Sequence, residues 1–415
     1  MNFIAFLSGI LLMCVALFRQ DFFVRHSSIF PLYFLLFPVG LLITIWSFTK
    51  GEWKRTAFVF GVFAFIEIAL VASVWYMAVY QRHTPLPISY LNWMRLQYMN
   101  GFKNTTNFNS RLSQYDSLLT YRFRRNVTGR FMNPEFDVEI KTNSLGVRDD
   151  EGSLRNPAII VLGDSHGMGW GVEHHQRFSE VIEKKLNTTV LNTSITSYGT
   201  YRETKLLNEL DLSSCKLLII QYCNNDLEEN LANLARDQKP SIESFGFDVA
   251  ERQNTINNTY FPFKGIFISL RWAIAELLKK TPAPSMASVH AAGSKVQKSE
   301  HAEAFFPYLY RIRTRYKGPI LVFDLGVYNF PIVNEFQFYN TLHPIENVYF
   351  VNVHPLLDRR YYFTIDDHIN ARGHIKIGTA LAAFIQLQGW LMGNDNGSLV
   401  NAAAVSKDIS LLSAQ

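Results

Sequence analysis

Ser165 is the residue around which chemistry is easiest to build. It stands in Gly163-Asp164-Ser165-His166-Gly167, directly after the apolar run Ala158–Leu162. A tight glycine-flanked turn at that point exposes the hydroxyl and aims the residue's own N–H into the same space. A serine hydroxyl is a poor nucleophile until a neighbouring base takes its proton. His368 is the candidate base, and Asp366, two residues earlier, can accept its other imidazole proton. That pairing favours the tautomer that leaves the catalytic nitrogen free; Asp367 is the alternative acid. Acyl transfer also needs donors for an oxyanion. The backbone N–H of Ser165, the backbone N–H of Gly199 and the side-chain amide of Asn225 are the candidates. Losing one such donor costs about 100- to 1000-fold in turnover. Asp164 and Asp226 read as residues that fix their loops by hydrogen bonds.

Something must bring these distant residues together. Ala158–Leu162, Thr189–Asn192, Lys216–Tyr222, Pro319–Leu325 and Val348–Val353 are short apolar runs, separated by helix-like stretches such as Val172–Leu186 and Tyr201–Leu210. Ala371–Leu391 is the last helical stretch. Short buried strands alternating with helices predict βαβ units, hence an α/β fold with a parallel sheet in three layers. In such a sheet ligands bind beyond the carboxyl ends of the strands. The first strand ends in the serine turn, and the second in a Ser/Thr-rich turn closing on Tyr198-Gly199. Asn224-Asn225-Asp226 follows the third, and Asp366-Asp367-His368 leads into the final helix. The polar groups fall where this architecture puts a site.

Gly163-Asp164-Ser165, Gly199, Asn225-Asp226 and Asp366-x-His368 resemble, in order, the four blocks of the SGNH (GDSL-type) hydrolase family. The resemblance covers roughly residues 140–392. It begins at the lead-in Thr142-Asn143-Ser144-Leu145-Gly146-Val147-Arg148-Asp149, which is similar to that of membrane-anchored bacterial members. It implies a serine esterase or O-acyltransferase that needs no cofactor and no metal. Two departures stand out. Cys223 occupies the glycine position of the third block, and the last block is D-x-H rather than D-x-x-H. The shorter spacing is similar to that of SGNH domains that O-acetylate exopolysaccharides.

The rest of the 415-residue chain is read from its composition. Only 18% of residues are charged and 48% are hydrophobic, against about 25% charged in an average globular chain. The shortfall is pooled in three apolar runs, Asn2–Phe18, Ile29–Phe48 and Ala57–Tyr80. About 20 apolar residues cross a bilayer core, so the sequence predicts three transmembrane helices over residues 1–80. The first run lacks a basic n-region and an A-x-A site before Arg19, and so reads as a retained helix. Lys and Arg in the flanking loops tie at three a side, and the free amino terminus tips the orientation. Everything after Tyr80 then lies outside the cytoplasm, on the periplasmic side. Glu67, mid-helix in the third run, reads as a carboxyl that glues the three helices together, with a transport or relay role as the alternative. A connector with short strands such as Phe136–Lys141 spans 81–155. The SGNH-like domain spans 156–393 with an insertion near 281–298, and a loose tail spans 394–415.

Competing readings are weaker. Gly163–Gly167 also fits G-x-S-x-G, the nucleophile elbow of α/β-hydrolases, but that fold places its aspartate well before its histidine. Gly167, Gly169 and Gly171 do not match G-x-G-x-x-G and read as close-packing glycines. His166, His174 and His175 lack the carboxylate or cysteine spacing of a metal site, and His374 reads as a surface residue. Cys215 and Cys223 flank one strand, about 26 Å apart at about 3.3 Å per residue, too far to bridge. The sequon at Asn192 falls at a buried strand end. With +5 net charge and no basic cluster beyond Lys54-Arg55 and Arg124-Arg125, no nucleic-acid partner is expected. The expectation is a multi-pass, membrane-anchored serine esterase or O-acyltransferase forming an acyl-enzyme on Ser165. Its substrates would be acyl esters of envelope glycans or lipids. A non-catalytic SGNH-like binding or assembly module is the alternative.

Overall fold

The structure, a computed structural model, describes residues 2–19, 30–48, 54–80, 104–133, 135–235, 243–258, 261–278, 300–326, 331–363 and 366–391. Three helices come first: α1 (Phe3–Phe18), α2 (Phe30–Ser47) and α3 (Lys54–Tyr80). Two antiparallel hairpins follow, β1 (Ser113–Asp116) with β2 (Thr120–Phe123) and β3 (Thr128–Asn133) with β4 (Phe136–Lys141). The alternating part starts with β5 (Ile159–Leu162), the one-turn α4 (Ser165–Met168), α5 (Phe178–Leu186) and β6 (Val190–Asn192). It continues with α6 (Thr200–Leu207), β7 (Leu217–Tyr222), α7 (Asp226–Ala235), α8 (Ser244–Asn258), α9 (Lys264–Leu278) and α10 (Glu300–Arg315). It closes with β8 (Ile320–Asp324), α11 (Val333–Leu342), β9 (Val348–Phe350) and α12 (Ala371–Gln388).

The five strands β6-β5-β7-β8-β9 form one all-parallel sheet in that order. Ile159 faces Val190 on one side and Leu217 on the other. Side chains alternate along each strand, so an apolar run buried on both faces feeds two cores. Ile160, Leu162, Leu218, Ile220 and Val322 pack with Leu206, Phe305, Leu309, Phe336 and hairpin residues Phe131, Phe136 and Ile140. Ile159, Val161, Leu217, Ile219 and Leu321 pack with Phe178 and Ile182 of α5 and Ile377, Leu381 and Ile385 of α12. The result is an α/β architecture of three layers. β5 is the first strand laid down, and the chain moves from it to β6 on one side and then to β7 on the other. In such sheets ligands bind where the strand order reverses, here at the carboxyl end of β5.

The expected transmembrane helices are corrected by the structure. Among the described residues no helix is long and apolar enough to cross a membrane. α1 has 16 residues and rises about 24 Å at about 1.5 Å per residue, short of a core of about 30 Å. α2 has Pro38 in its interior, and α3 carries Glu67 in its middle and starts on Lys54-Arg55. α1 and α2 lie close: a Cβ on Gly9 would come within 2.2 Å of Thr44 Oγ1. Among the described residues Glu67 does not bind the three helices together. Its carboxylate accepts the N–H groups of Gly265 and Ile266, both at 2.8 Å, in the first turn of α9. α3 is therefore docked on polar backbone elsewhere in the chain. The multi-pass localisation expected from those helices is corrected with them, and the extracytoplasmic placement and membrane partner lose their support.

Smaller corrections have local causes. The helix expected from Val172 starts only at Phe178, because a short 3-10 turn over His174–Gln176 and an extended Arg177 intervene. His374 is fully buried rather than on the surface; its Nδ1 accepts the Phe178 N–H at 3.3 Å. The residues 281–298 and 394–415, and the connector up to residue 103, lie outside the described residues.

Candidate active site

The serine turn is built by Asp164 and Gln221. Asp164 Oδ1 accepts the His166 N–H at 2.9 Å and so caps α4 at its start. Gln221 Oε1, from the neighbouring strand β7, accepts the N–H of Gly167 at 2.8 Å and of Asp164 at 3.2 Å. Gly167 must be a glycine: a Cβ there would come within 2.3 Å of Ser194 Oγ. Ser165 is thereby held at the first position of a helical turn, where its N–H has no partner within the helix.

On this turn the loop before α12 lays His368. Its Nε2 stands 2.7 Å from Ser165 Oγ, and its Nδ1 makes a short contact with Asp366 Oδ1. Asp366 Oδ1 also accepts the His368 backbone N–H at 3.1 Å. Of the two adjacent carboxylates it is Asp366, not Asp367, that faces the imidazole. The other oxygen, Asp366 Oδ2, accepts the indole N–H of Trp170 at 3.0 Å, and the Asp366 N–H donates to Glu135 Oε2 at 2.8 Å. The Trp170 ring stacks on His368, centroids 4.7 Å apart and planes 16° apart.

The oxyanion candidates are placed differently from one another. Asn225 is exposed just past the carboxyl end of β7. Gly199 is buried, and its N–H donates to Glu229 Oε2 at 3.0 Å, a carboxylate also held by Arg202 at 2.5 Å. The Gly199 N–H is therefore engaged rather than open. Cys223 is buried beside Asp164, which accepts a hydrogen bond from its thiol. Burial pushes that thiol well up, helped by the charges of Asp164 and Asp226.

Behind the nucleophile lies a group of acids. Asp164, Glu203 and Asp226 are almost completely buried. Burial raises all three carboxyls, and for Glu203 the neighbours Asp226 and Asp164 raise it further. Asp226 Oδ2 accepts the Thr200 hydroxyl at 3.0 Å, while among the described residues neither oxygen of Glu203 has a hydrogen-bond partner. Asp164 and Asp226 thus do fix their loops through hydrogen bonds.

The three histidines do not converge. His166 is buried with its ring 4.6 Å from that of His368. His175 is exposed, and His174 stands beside Glu180 at 3.2 Å and Asp150 at 3.5 Å. Asp149, His174 and Glu180 come close enough to suggest a metal cluster. The buried guanidinium of Arg177 already bonds Asp149 at 3.0 Å and Glu180 at 2.6 Å, so positive charge is supplied there by the protein. His374 is pushed down to about 3 by burial and by the nearby Arg177 and Arg148.

The lead-in 142–149 acquires a physical role. Arg148, fully buried, donates to the carbonyls of Gly169 (2.7 Å), Val172 (2.8 Å) and Glu139 (2.8 Å). Asp149 Oδ2 accepts the Asn192 N–H at 2.7 Å, at the end of β6. One dipeptide therefore holds both the turn carrying Trp170 and the loop after β6. Trp170, Glu135 and Arg148 had no signal as site residues in the sequence, since each acts through a partner distant along the chain. Asn192 itself is buried, donating to Gly167 O and Ser179 Oγ.

No family model and no curated protein matches this chain. Solved structures do. One is from Desulfitobacterium hafniense, described as a lipolytic protein of the G-D-S-L family; it is 11% identical, with a TM-score of 0.31, over 54% of this chain and 97% of its own. Another is a carbohydrate esterase family 2 enzyme with a carbohydrate-binding domain from Corynascus thermopiles; it is 12% identical, with a TM-score of 0.32, over 56% of this chain and 66% of its own. The chain is similar to these two proteins over somewhat more than half its length.

Proposed function

We propose that this chain is a serine esterase of the SGNH type that works through an acyl-enzyme on Ser165. The observation that carries the reading is the 2.7 Å approach of His368 Nε2 to Ser165 Oγ with Nδ1 turned onto Asp366. In the proposed cycle Ser165 Oγ attacks the ester carbonyl carbon while His368 Nε2 takes its proton. The Ser165 N–H and the Asn225 amide are the donors proposed for the developing oxyanion. Collapse of the tetrahedral intermediate expels the alkoxide, which leaves with the proton from His368. Water, deprotonated by the same imidazole, then releases the acid and restores Ser165. A sugar hydroxyl in place of water would give O-acyl transfer with the same groups. The substrate class proposed is acyl esters of glycans or lipids.

The test is hydrolysis of p-nitrophenyl acetate by the full chain and by Ser165→Ala. The reading expects turnover in the first and its loss in the second. Equal rates would refute it. Adding candidate glycans to the assay and weighing the products distinguishes transfer, which yields an acylated sugar, from hydrolysis, which yields only acetate.

A further inference from the structure

We propose that Trp170 is a positioning residue for the His368–Asp366 pair, a role that rests on the esterase reading above. The indole makes two contacts that bear on different moments of the reaction. Its N–H holds Asp366 Oδ2 at 3.0 Å, which leaves Oδ1 directed at His368 Nδ1. Its ring lies flat against the imidazole at 4.7 Å. When Nε2 takes the serine proton, the imidazole becomes a cation over the negative face of the largest aromatic side chain. One side chain thus fixes the acid in the resting state and favours the charge that forms in the transition state.

Trp170 is itself rigidly held. Only 2% of it is exposed. Phe131 meets the indole edge-on at 4.7 Å and Phe136 at 6.2 Å, both from the β3–β4 hairpin. The glycines on either side, Gly169 and Gly171, adopt left-handed backbone, and Arg148 ties down the carbonyls of Gly169 and Val172. Between its own strands the hairpin also supplies Glu135, which accepts the Asp366 N–H. A hairpin outside the parallel sheet therefore buttresses the acid, and Trp170 connects that support to the base.

The charged and titratable groups around His368 are Asp366 on its own loop, Asp164 and His166 on the serine turn, Glu135 on the hairpin and His374 on α12, with Asp367 exposed beside it in the chain. None of these is altered in the test. Trp170→Phe keeps a stacked ring and removes the N–H; Trp170→Leu removes both. A hydrogen bond to a charged group is lost in each, so kcat should fall about 10- to 100-fold with KM nearly unchanged. The acidic limb of the kcat/KM profile should lie at lower pH in Trp170→Leu than in Trp170→Phe, because only the former loses the ring that favours imidazolium. Rates are expressed per site labelled by a fluorophosphonate, so misfolded protein does not count. If both variants stay within twofold of wild-type kcat per labelled site and share its acidic limb, the role of Trp170 is overturned. Ser165→Ala, run alongside, reads the underlying assignment separately. Full turnover there overturns the esterase reading itself. Lost turnover there, with Trp170→Phe unaffected, overturns only the inference about Trp170.

Discussion

At the scale of single residues, the site is a contest between adjacent carboxylates and among buried ones. Asp366 wins the first because its Oδ1 lies on His368 Nδ1 while Trp170 takes its Oδ2. Asp366→Asn should therefore lower kcat on p-nitrophenyl acetate by on the order of 10,000-fold, as expected when the wrong tautomer is favoured. Asp367→Asn should change it by less than about fivefold, since it leaves that tautomer alone. The reverse order would show that the loop turns over in the working enzyme. The buried acids make a separate statement about stability. The folded-state carboxyl of Glu203 is raised by burial and by Asp226 and Asp164, whereas in an unfolded chain it titrates near about 4.3. Above that pH the folded state binds more protons, so this group costs stability progressively as pH rises towards its folded value. Glu203→Gln removes the titration. Its Tm should match wild type near pH 4 and exceed it above that pH; a variant less stable at neutral pH would contradict the assignment.

At the scale of elements, strands set where chemistry can happen and turns decide what happens there. All five parallel strands are visible in the sequence as apolar runs, and β7 and β8 differ from those runs only in end residues. Strands buried on both faces advertise themselves in this way. Ser165 and His368 were legible for the same reason: each sits where a strand or helix must end. What the sequence could not show was the support. Trp170 depends on Asp366, almost two hundred positions away, and Arg148 bonds only to backbone carbonyls, which leave no trace in residue type. Gly199 failed as an open donor because its N–H found Glu229 on a different helix. Arg148 gives a test at this scale. Burial and the nearby Arg177 push it down to about 9, yet its guanidinium satisfies carbonyls on both sides of Trp170. Arg148→Met should cost about 3 kcal/mol in urea unfolding, because buried carbonyls are left unpaired. It should also lower kcat as the 168–172 turn loosens. Unchanged stability would contradict the role given to that side chain.

At the scale of the whole molecule, the apolar start of the chain is the part where sequence reasoning erred most. Hydropathy over a window records how apolar a helix is, not what it rests on. The Glu67 carboxylate, treated as an internal matter of the first eighty residues, instead caps α9 through Gly265 and Ile266. Gly265 is matched to that contact, since a Cβ there would lie 2.9 Å from Glu67 Oε1. Carboxylates at helix N-termini are stabilising through the free N–H groups and the dipole. Glu67→Ala should therefore raise amide hydrogen exchange in the first turn of α9, by about tenfold for a loss of about 1.4 kcal/mol. Exchange in α12, which does not touch this contact, should stay as it was. Equal protection of α9 in the two proteins would remove the link between α3 and the rest of the chain.

Everything proposed for the site depends on Ser165 being a nucleophile activated by His368. Incubating the full chain with a fluorophosphonate and locating the adduct by peptide mass spectrometry tests this most directly. One adduct is expected, on Ser165, and none in Ser165→Ala or His368→Ala. No adduct on Ser165 in the wild-type protein, or equal labelling of Ser165→Ala, would contradict it.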